Sequence, residues 1–257
     1  MDHREAELTK LRLDQLVFDR GLAPSRERAR GMILAGQVLV GGVAVAKAGA
    51  QVEADADLAL VAPDHPWVGR GGVKLAHALD AFHIDVTGRQ ALDIGASTGG
   101  FTDVLLQRGA ARVVALDVGH GQLDWRIRND PRVVVIEKFN ARHLTPADLP
   151  GPVDVVSIDV SFISLRQILP VLPPLLRPGA DVIALVKPQF EAGREEVRKG
   201  VIHDPVVHTR VLREVTDAAA AVGLAKHGSE PSPITGQKGN VEFLLHLRPA
   251  DRGPSHS

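Results

Sequence analysis

The chain of 257 residues contains no cysteine and no tyrosine, and only two tryptophans and seven phenylalanines. Without cysteine it has no disulfide, no thiolate metal ligand and no cysteine nucleophile. This excludes methylation of RNA at cytosine C5, because that reaction proceeds through a cysteine adduct. The shortage of aromatic residues counts against reading RNA with a sheet of stacking side chains.

The chain also lacks an excess of either charge and any long apolar run. Its 30 basic and 31 acidic residues give a formal net charge of −1, which rules out binding of nucleic acid by a surface that is basic throughout. No apolar run approaches the ~18 residues of a membrane span. The start, MDHREAELTK, has no apolar stretch like that of a signal peptide. We therefore expect a soluble, cytoplasmic protein that does not bind a membrane.

Residues 1–62 have a pattern of their own and predict a small separate domain. Apolar residues at helical spacing indicate a helix that ends at Arg20-Gly21, and a second helix is predicted over 26–34. The string QVLVGGVAVAK, with Gly41-Gly42 between two β-branched runs, indicates a hairpin, and LALVAP indicates a strand. This unit is too small to be a catalytic domain.

After a linker at 63–69, strands and helices alternate. Helices are predicted at 73–82, 100–108, 122–128, 164–176 and 206–221, and strands at 90–94, 112–116, 132–136, 153–158, 182–186, 225–229 and 241–247. Several strands are apolar throughout, which is typical of a parallel sheet covered on both faces. The last two strands suggest an antiparallel edge. We predict a doubly wound, Rossmann-like α/β domain over 70–249, followed by a disordered tail at 250–257.

A glycine-rich turn follows the first strand of this domain and suggests a cofactor site. The turn is Gly95-Ala96-Ser97-Thr98-Gly99-Gly100, preceded by Asp93, and Asp117 ends the next strand. Small residues let a ligand approach the backbone, and an acid at that strand end can accept hydrogen bonds from ribose hydroxyls. The central glycine of the dinucleotide pattern is replaced by Ser97. The pattern therefore favours S-adenosylmethionine over NAD.

The same turn matches G-x-S-x-G, the nucleophile elbow of α/β-hydrolases, with Ser97 as the nucleophile. Asp159 and either His203 or His246 follow in the chain order of that triad. The elbow strand of a hydrolase has several strands before it in sequence, whereas this one is the first of its domain. A hydrolase is therefore kept as an alternative.

Four charged residues stand at strand or helix ends: Lys74, Asp159, Lys187 and Glu242. Two lysines and two carboxylates placed in this way can form a buried ion network, and a desolvated lysine can act as a base. Each alone can equally be a surface charge. The eleven histidines show no spacing typical of metal ligands, so no metal is predicted. The turn 159–162 lacks the prolines of amino-group methylases, which favours chemistry on a hydroxyl.

Positive charge in the first 62 residues is concentrated at Arg20, Arg26, Arg28 and Arg30. Arg26 and Arg30 share one face of the second predicted helix and could hold a phosphate backbone. The alternative is an ordinary solvated helix face.

Specific strings give the chain a resemblance to known proteins. Residues 12–42, from Arg12-Leu13-Asp14-Gln15 to Gly36-Gln37-Val38-Leu39-Val40-Gly41-Gly42, resemble the small RNA-binding module first known in ribosomal protein S4. The second domain resembles FtsJ-like RNA methyltransferases. The domain order and seven strings resemble the TlyA family to about residue 249: WVGRGGVKL, LDIGASTGGFTDVLL, DVGHGQL, DVSFISL, LVKPQFE, GVIHDP and GNVEFLLHL.

The resemblance implies 2′-O-methylation of cytidines in ribosomal RNA of one or both ribosomal subunits, with S-adenosylmethionine and without a metal. It implies a catalytic tetrad of Lys74, Asp159, Lys187 and Glu242, in which Lys187 removes or stabilises the proton of the RNA 2′-hydroxyl. The implied cofactor-binding residues are Asp93, Gly95, Ala96, Ser97, Thr98, Gly99 and Asp117. Candidate RNA-binding residues are Arg12, Arg20, Arg26, Arg30 and Arg70.

Members of this family also carry the name hemolysin, so a membrane-active protein is a further alternative. The sequence has neither a span nor a long basic amphipathic helix to support it. No feature of the sequence assigns an oligomeric state.

Overall fold

The computed structural model describes residues 10–61 and 65–250 except 24, 35 and 198, and it leaves out the side chains of 194 and 237. The chain divides into two compact units, Met1–Pro66 and Trp67–Ser257. The finer boundaries expected from the sequence, with a linker at 63–69, stay a prediction. The predicted disordered tail lies outside the described residues apart from residue 250.

The first unit is a small α+β unit with two short sheets. Its elements are β1 (Lys10–Arg12), α1 (Leu13–Asp19), α2 (Arg26–Leu34), β2 (Val38–Val40), β3 (Val43–Ala44), β4 (Gln51–Glu53) and β5 (Leu58–Leu60). The predicted hairpin is confirmed as β2–β3, and β5 pairs with the other side of β2. The antiparallel pair β1–β4 was not expected, because three residues are too few to show an alternating pattern. Leu13, Val17 and Ile33 form its core.

The second unit is the predicted doubly wound domain. Its elements are α3 (Gly71–Ala81), β6 (Gln90–Ile94), α4 (Gly100–Gln107), β7 (Arg112–Leu116), α5 (Trp125–Arg128), β8 (Val133–Ile136), β9 (Val153–Ile158), β10 (Leu176–Val186), α6 (Pro188–Glu191), α7 (Pro205–Ala221), β11 (Leu224–Pro231) and β12 (Phe243–Pro249). The strand order is β11-β12-β10-β9-β6-β7-β8. Strand β12 runs antiparallel to both neighbours, which confirms the antiparallel edge.

Both faces of this sheet are buried. Leu92 and Ile94 belong to one apolar cluster, while Ala91 on the same strand belongs to the other. Because successive side chains of a strand point to opposite faces, each face carries its own core. Apolar cores occupy both faces, so a polar functional site is expected at the carboxyl edge of the sheet, where β6, β7, β9 and β10 all end.

The prediction of an α-helix over 164–176 is wrong. The chain there makes three 3₁₀ turns, Leu165–Gln167, Leu169–Val171 and Pro173–Leu175. Proline has no N–H to donate and its ring clashes with the preceding turn, so three prolines in this segment prevent a continuous α-helix. The helix expected at 122–128 is likewise shortened to Trp125–Arg128.

Candidate active site

A cavity of about 530 Å³ opens at the carboxyl edge of β6, β7 and β9. The turn after β6, Asp117 after β7 and the segment 159–163 after β9 contribute to its lining. Its volume lies within the range of roughly 300–1,000 Å³ that is usual for small-molecule sites. A smaller cavity of about 140 Å³, lined also by Gly71 and Phe101, shares Gly95 and Ser97 with it. The larger cavity can hold a nucleoside-sized ligand.

Gly95 lets the chain turn sharply at the end of β6. Its φ is +87°, and a Cβ there would lie 2.3 Å from the carbonyl oxygen of Asp159. Any side chain would push the ends of β6 and β9 apart, so glycine is required. Gly95 lines both cavities, and Ala96 and Thr98 line the smaller one.

Asp117 holds the turn in shape. Its Oδ2 accepts a hydrogen bond from the amide of Ser97 at 2.8 Å, and its Oδ1 accepts one from Gly119 at 2.6 Å. Ser97 has a positive φ of 48°, which a non-glycine residue adopts only when its surroundings hold it there. Each carboxylate oxygen keeps a further lone pair, so Asp117 can also accept hydrogen bonds from a ligand in the cavity.

Two residues expected at the cofactor lie behind the turn. Asp93 has no exposed surface, and its carboxyl group accepts hydrogen bonds from Thr102 Oγ1 at 2.7 Å and Ser157 Oγ at 3.0 Å. Burial raises the pKa of Asp93 to about 7. A Cβ on Gly99, whose φ is +97°, would lie 2.9 Å from Leu123 Cδ1. Both residues therefore support the turn by packing and hydrogen bonding.

The four charged residues of the expected tetrad form two ion pairs. Lys74 Nζ donates to Glu242 Oε2 at 2.5 Å, and both residues are buried. Lys187 Nζ lies 2.5 Å from Asp159 Oδ1 and donates a hydrogen bond to Ser161 Oγ at 3.0 Å. Asp159 lines both cavities. One pair is therefore internal, and the other borders the space in which a ligand can bind.

Strand register places the two pairs side by side. Val186 of β10 is opposite Phe243 of β12, so the residues just beyond them, Lys187 and Glu242, are neighbours across the antiparallel pair. Ala184 of β10 is level with Ile158 of β9, so Asp159 emerges at the same edge. The two cations and two carboxylates balance each other in charge.

An aromatic pair beside Lys187 was missed from the sequence. Phe162 is 89% exposed and has a positive φ of 64°, and the centre of its ring lies 5.0 Å from the centre of the Phe190 ring. Lys187 Nζ lies 6.0 Å from the centre of the Phe190 ring. The sequence contains a pattern that could have predicted this pair: Phe162 stands three positions after Asp159, and Phe190 stands three positions after Lys187, each of which is a charged residue at a strand end.

Two of the expected RNA-binding arginines in the first unit share one carboxylate. Arg12 donates to both oxygens of Asp14, at 3.0 and 2.8 Å, and Arg26 lies 3.7 Å from the same group. These arginines lower the pKa of Asp14. The side chains of Arg12 and Arg26 are both about half exposed, and Arg30 is exposed on α2. The three residues can therefore present positive charge to a partner.

The two remaining expected arginines contact backbone carbonyl groups. Arg20 donates to the carbonyl oxygens of Ala54 at 2.7 Å and Ala56 at 2.6 Å, which fixes the turn between β4 and β5. Arg70, which precedes α3 in the second unit, reaches the carbonyl oxygen of Thr235 at 3.5 Å. Arg20 thus has a structural role in addition to any contact with RNA.

The hydrolase alternative finds no support in the contacts of Ser97. Its Oγ lies 3.5 Å from Gln122 Oε1. His246 is buried against Asp181, at 2.8 Å, and Asp159 pairs with Lys187. Ser97, Asp159 and His246 therefore have other partners, and His203, the other histidine considered for the triad, is exposed.

Neither a metal site nor a membrane span is found in the part of the chain that the structure describes. No three acidic or histidine side chains there are grouped so as to hold a metal ion. No helix there combines the length and the apolar character needed to cross a membrane.

Comparison with known proteins agrees with this geometry. Residues 67–249 match the family model of the FtsJ-like methyltransferases, and residues 11–58 match that of the S4 domain. The 16S/23S rRNA (cytidine-2′-O)-methyltransferase TlyA of Mycobacterium tuberculosis is 49% identical over 241 residues, which are 93% of this chain and 90% of that protein.

Two further relatives carry another name. Hemolysin A of Brachyspira hyodysenteriae is 42% identical over 239 residues, covering 92% of this chain and 99% of that protein. A solved structure described as "Putative hemolysin from Streptococcus thermophilus" has 44% identity and a TM-score of 0.76, with 95% of this chain and 90% of that chain covered.

Proposed function

Since the chain belongs to the FtsJ-like methyltransferase family, and within it to the TlyA proteins that also carry an S4 domain, we propose that it methylates ribosomal RNA. The methyl group passes from S-adenosylmethionine to the 2′-hydroxyl of a cytidine ribose, in one or both ribosomal subunits. Its place of action is then the cytoplasm, with the ribosome.

The observation that carries this proposal is the ion pair between Lys187 and Asp159 at the wall of a nucleoside-sized cavity. Transfer to a hydroxyl requires a group that takes or stabilises the hydroxyl proton beside the methyl donor. Lys187 is at the strand end, and Asp159 faces the cavity. The buried pair of Lys74 and Glu242 holds the neighbouring strand end in place.

The residues around the cavity suit S-adenosylmethionine, which supplies an electrophilic methyl group when bound. Gly95, Ala96, Ser97 and Thr98 offer small side chains and backbone amides near the start of α4. Asp117 can accept hydrogen bonds from the ribose. Asp93 and Gly99 act from behind the turn, by keeping it in shape.

Lys187 and Asp159 have different roles at the acceptor hydroxyl. Lys187, once it has given up its own proton to solvent, accepts the 2′-hydroxyl proton, and its second contact, with Ser161 Oγ, fixes the direction of its side chain. Asp159 keeps Lys187 next to the cavity by charge attraction. No metal ligand set is needed for these steps.

The first unit serves to hold RNA. Arg12, Arg26 and Arg30 present positive charge at or near α1 and α2, where phosphates of folded RNA can bind. Arg20 and Arg70 are weaker candidates because each already contacts a carbonyl group.

A membrane-active function, which the name hemolysin suggests, is the alternative. We favour methyl transfer because a glycine turn, a cavity and a lysine–carboxylate pair meet at one sheet edge, which is the combination that this chemistry requires.

The test is to incubate the purified full chain with labelled S-adenosylmethionine and ribosomal subunits that lack ribose methylation. We expect labelled 2′-O-methylcytidine in nuclease digests of the RNA. Label that appears only on base atoms, or no transfer to either subunit, would overturn the proposal.

A further inference from the structure

Two large apolar side chains are exposed in the segment 118–128, which links β7 to the end of α5. Trp125 is 72% exposed and Val118 is 73% exposed. Leaving an indole ring in water forgoes the free energy that its burial would bring. An exposed tryptophan beside a ligand cavity is therefore a candidate contact for a partner.

The ion pairs and hydrogen bonds around Trp125 are arranged so that the basic side chains face the solvent and the carboxylates do not. The side chain of Arg126 is 68% exposed, whereas that of its partner Asp124 is 7% exposed. His120 is 64% exposed and its partner Glu137 only 14%. Arg128 pairs with the same Glu137. The carboxylates lie beneath their basic partners, so the outward surface suits a negatively charged partner.

This segment is fixed to the cofactor turn. The amide of Asp124 donates to the carbonyl oxygen of Thr98 at 3.0 Å. The side chains of Leu123 and Ile127 pack where a Cβ on Gly99 would lie. Val118 and Gln122 line the large cavity. A partner bound to this segment would therefore be positioned relative to the cofactor.

We propose that residues 118–128, here called the α5 rim, form an RNA contact of the methyltransferase domain, in which a base stacks on Trp125 and a phosphate binds Arg126. This inference rests on the proposed function. A flat aromatic ring framed by exposed cations fits an unpaired nucleotide, because every base has a face that stacks and every link carries a negative charge. The rim would hold a nucleotide of the substrate beside the cofactor, separately from the arginines of the first unit.

The first experiment compares Trp125→Ala and Trp125→Phe in the full chain, with Val206→Ala as the matched control. Val206 is equally exposed, on α7, and α7 packs at the β11 end of the sheet, opposite the β8 end where α5 lies. We expect Trp125→Ala to weaken binding of the ribosomal subunit roughly five- to hundredfold, which is the range for loss of one stacked base. Trp125→Phe should restore most of the affinity, and Val206→Ala should match the wild type.

A second experiment tests the contacts directly. Arg126→Glu should reduce the slope of the logarithm of the RNA-binding constant against the logarithm of salt concentration by about one, because about one counterion fewer is released. Arg213→Glu on α7 should leave this slope unchanged. Binding of RNA should protect tryptophan fluorescence from iodide, and this protection should largely vanish in Trp125→Phe. Binding of S-adenosylmethionine should be equal in all variants, which shows that the cavity is intact.

The outcomes separate this inference from the proposed function. If the wild type methylates the RNA and Trp125→Ala and Arg126→Glu bind and methylate equally well, the α5 rim is not an RNA contact. If Trp125→Ala changes only self-association in sedimentation, the rim is a protein contact and the inference is wrong. If the wild type transfers no methyl group to RNA, the proposed function itself fails.

Discussion

Lys187 Nζ lies 2.5 Å from Asp159 Oδ1, yet its hydrogen bond goes to Ser161 Oγ. Asp159 Oδ1 is itself buried. At this distance the pair is held together by charge attraction. An ammonium group held in this way is positioned but keeps N–H directions for another acceptor. A substrate hydroxyl entering the cavity can use one of them.

Asp117→Ala should weaken binding of S-adenosylmethionine by one to two orders of magnitude. The variant loses the ribose acceptor and also frees the amides of Ser97 and Gly119, which shape the turn. Hydrogen bonds to charged groups contribute on the order of 1.5–3 kcal/mol each. Isothermal titration calorimetry measures the loss, with NAD as the control ligand. Tight binding of NAD by the wild type would contradict the assignment of the cavity.

Reversing Arg26 and Arg30 together to Glu should weaken RNA binding and reduce its dependence on salt, because fewer counterions are released. Binding of S-adenosylmethionine should not change. Filter binding at several salt concentrations gives both quantities, and thermal melting checks that the loss of the Arg26 contact with Asp14 leaves the unit folded. Unchanged RNA affinity at moderate salt would mean that this helix face is only solvated.

The parallel sheet was largely predictable from the sequence, because its strands are continuously apolar and bounded by glycine, proline or charge. Strands at 90–94, 112–116 and 153–158 have the expected ends. The prediction of a helix over 164–176 was wrong because the apolar residues there follow a helical period. Only the prolines in this segment indicate that its backbone cannot form a continuous α-helix.

Within the site, residue types and strand ends could be predicted but not which groups face a ligand. Asp93 precedes the turn in sequence as a ligand-binding acid would, yet its side chain is buried, where it accepts hydrogen bonds from Thr102 and from Ser157, its partner across β6 and β9. The exposure of Phe162 depends on a positive φ, which the sequence does not announce at a phenylalanine.

Asp93 should make folding stability fall as pH rises. Its folded pKa, raised to about 7 by burial, lies above the value of an ordinary aspartate, so the folded state binds the proton more tightly than the unfolded chain. The contribution of Asp93 to the free energy of unfolding is complete below the unfolded pKa of about 3.9. It is lost as pH rises toward 7, and the free energy of unfolding then falls by at most about 1.4 kcal/mol per pH unit. Asp93→Asn should flatten this dependence. Urea unfolding between pH 5 and pH 8 measures it, and parallel curves for both proteins would contradict the expectation.

Glu242→Gln should destabilise the fold more than it alters the chemistry. The substitution leaves the ammonium group of Lys74 buried without a counter-charge, and breaking a buried pair in this way costs about 3–5 kcal/mol when one partner is removed. Gln keeps an oxygen that can accept from Lys74, so we expect the lower end of this range. Urea unfolding gives the loss, and residual methyl transfer should be measurable at low temperature. A stable but inactive protein would instead place Glu242 in contact with the substrate.

Lys187→Arg should abolish methyl transfer while S-adenosylmethionine and RNA still bind. Arginine keeps the positive charge beside Asp159, but it does not give up a proton at any accessible pH, and its planar group cannot take the place of a compact ammonium. Single-turnover transfer of labelled methyl to ribosomal RNA is the measurement, and thermal melting and calorimetry check folding and cofactor binding. The matched control is Lys199→Arg, an exposed lysine outside the cavity, which should retain full activity. If Lys187→Arg transfers the methyl group at a near-normal rate, the lysine contributes only charge, and removal of the 2′-hydroxyl proton falls to Asp159 or to water.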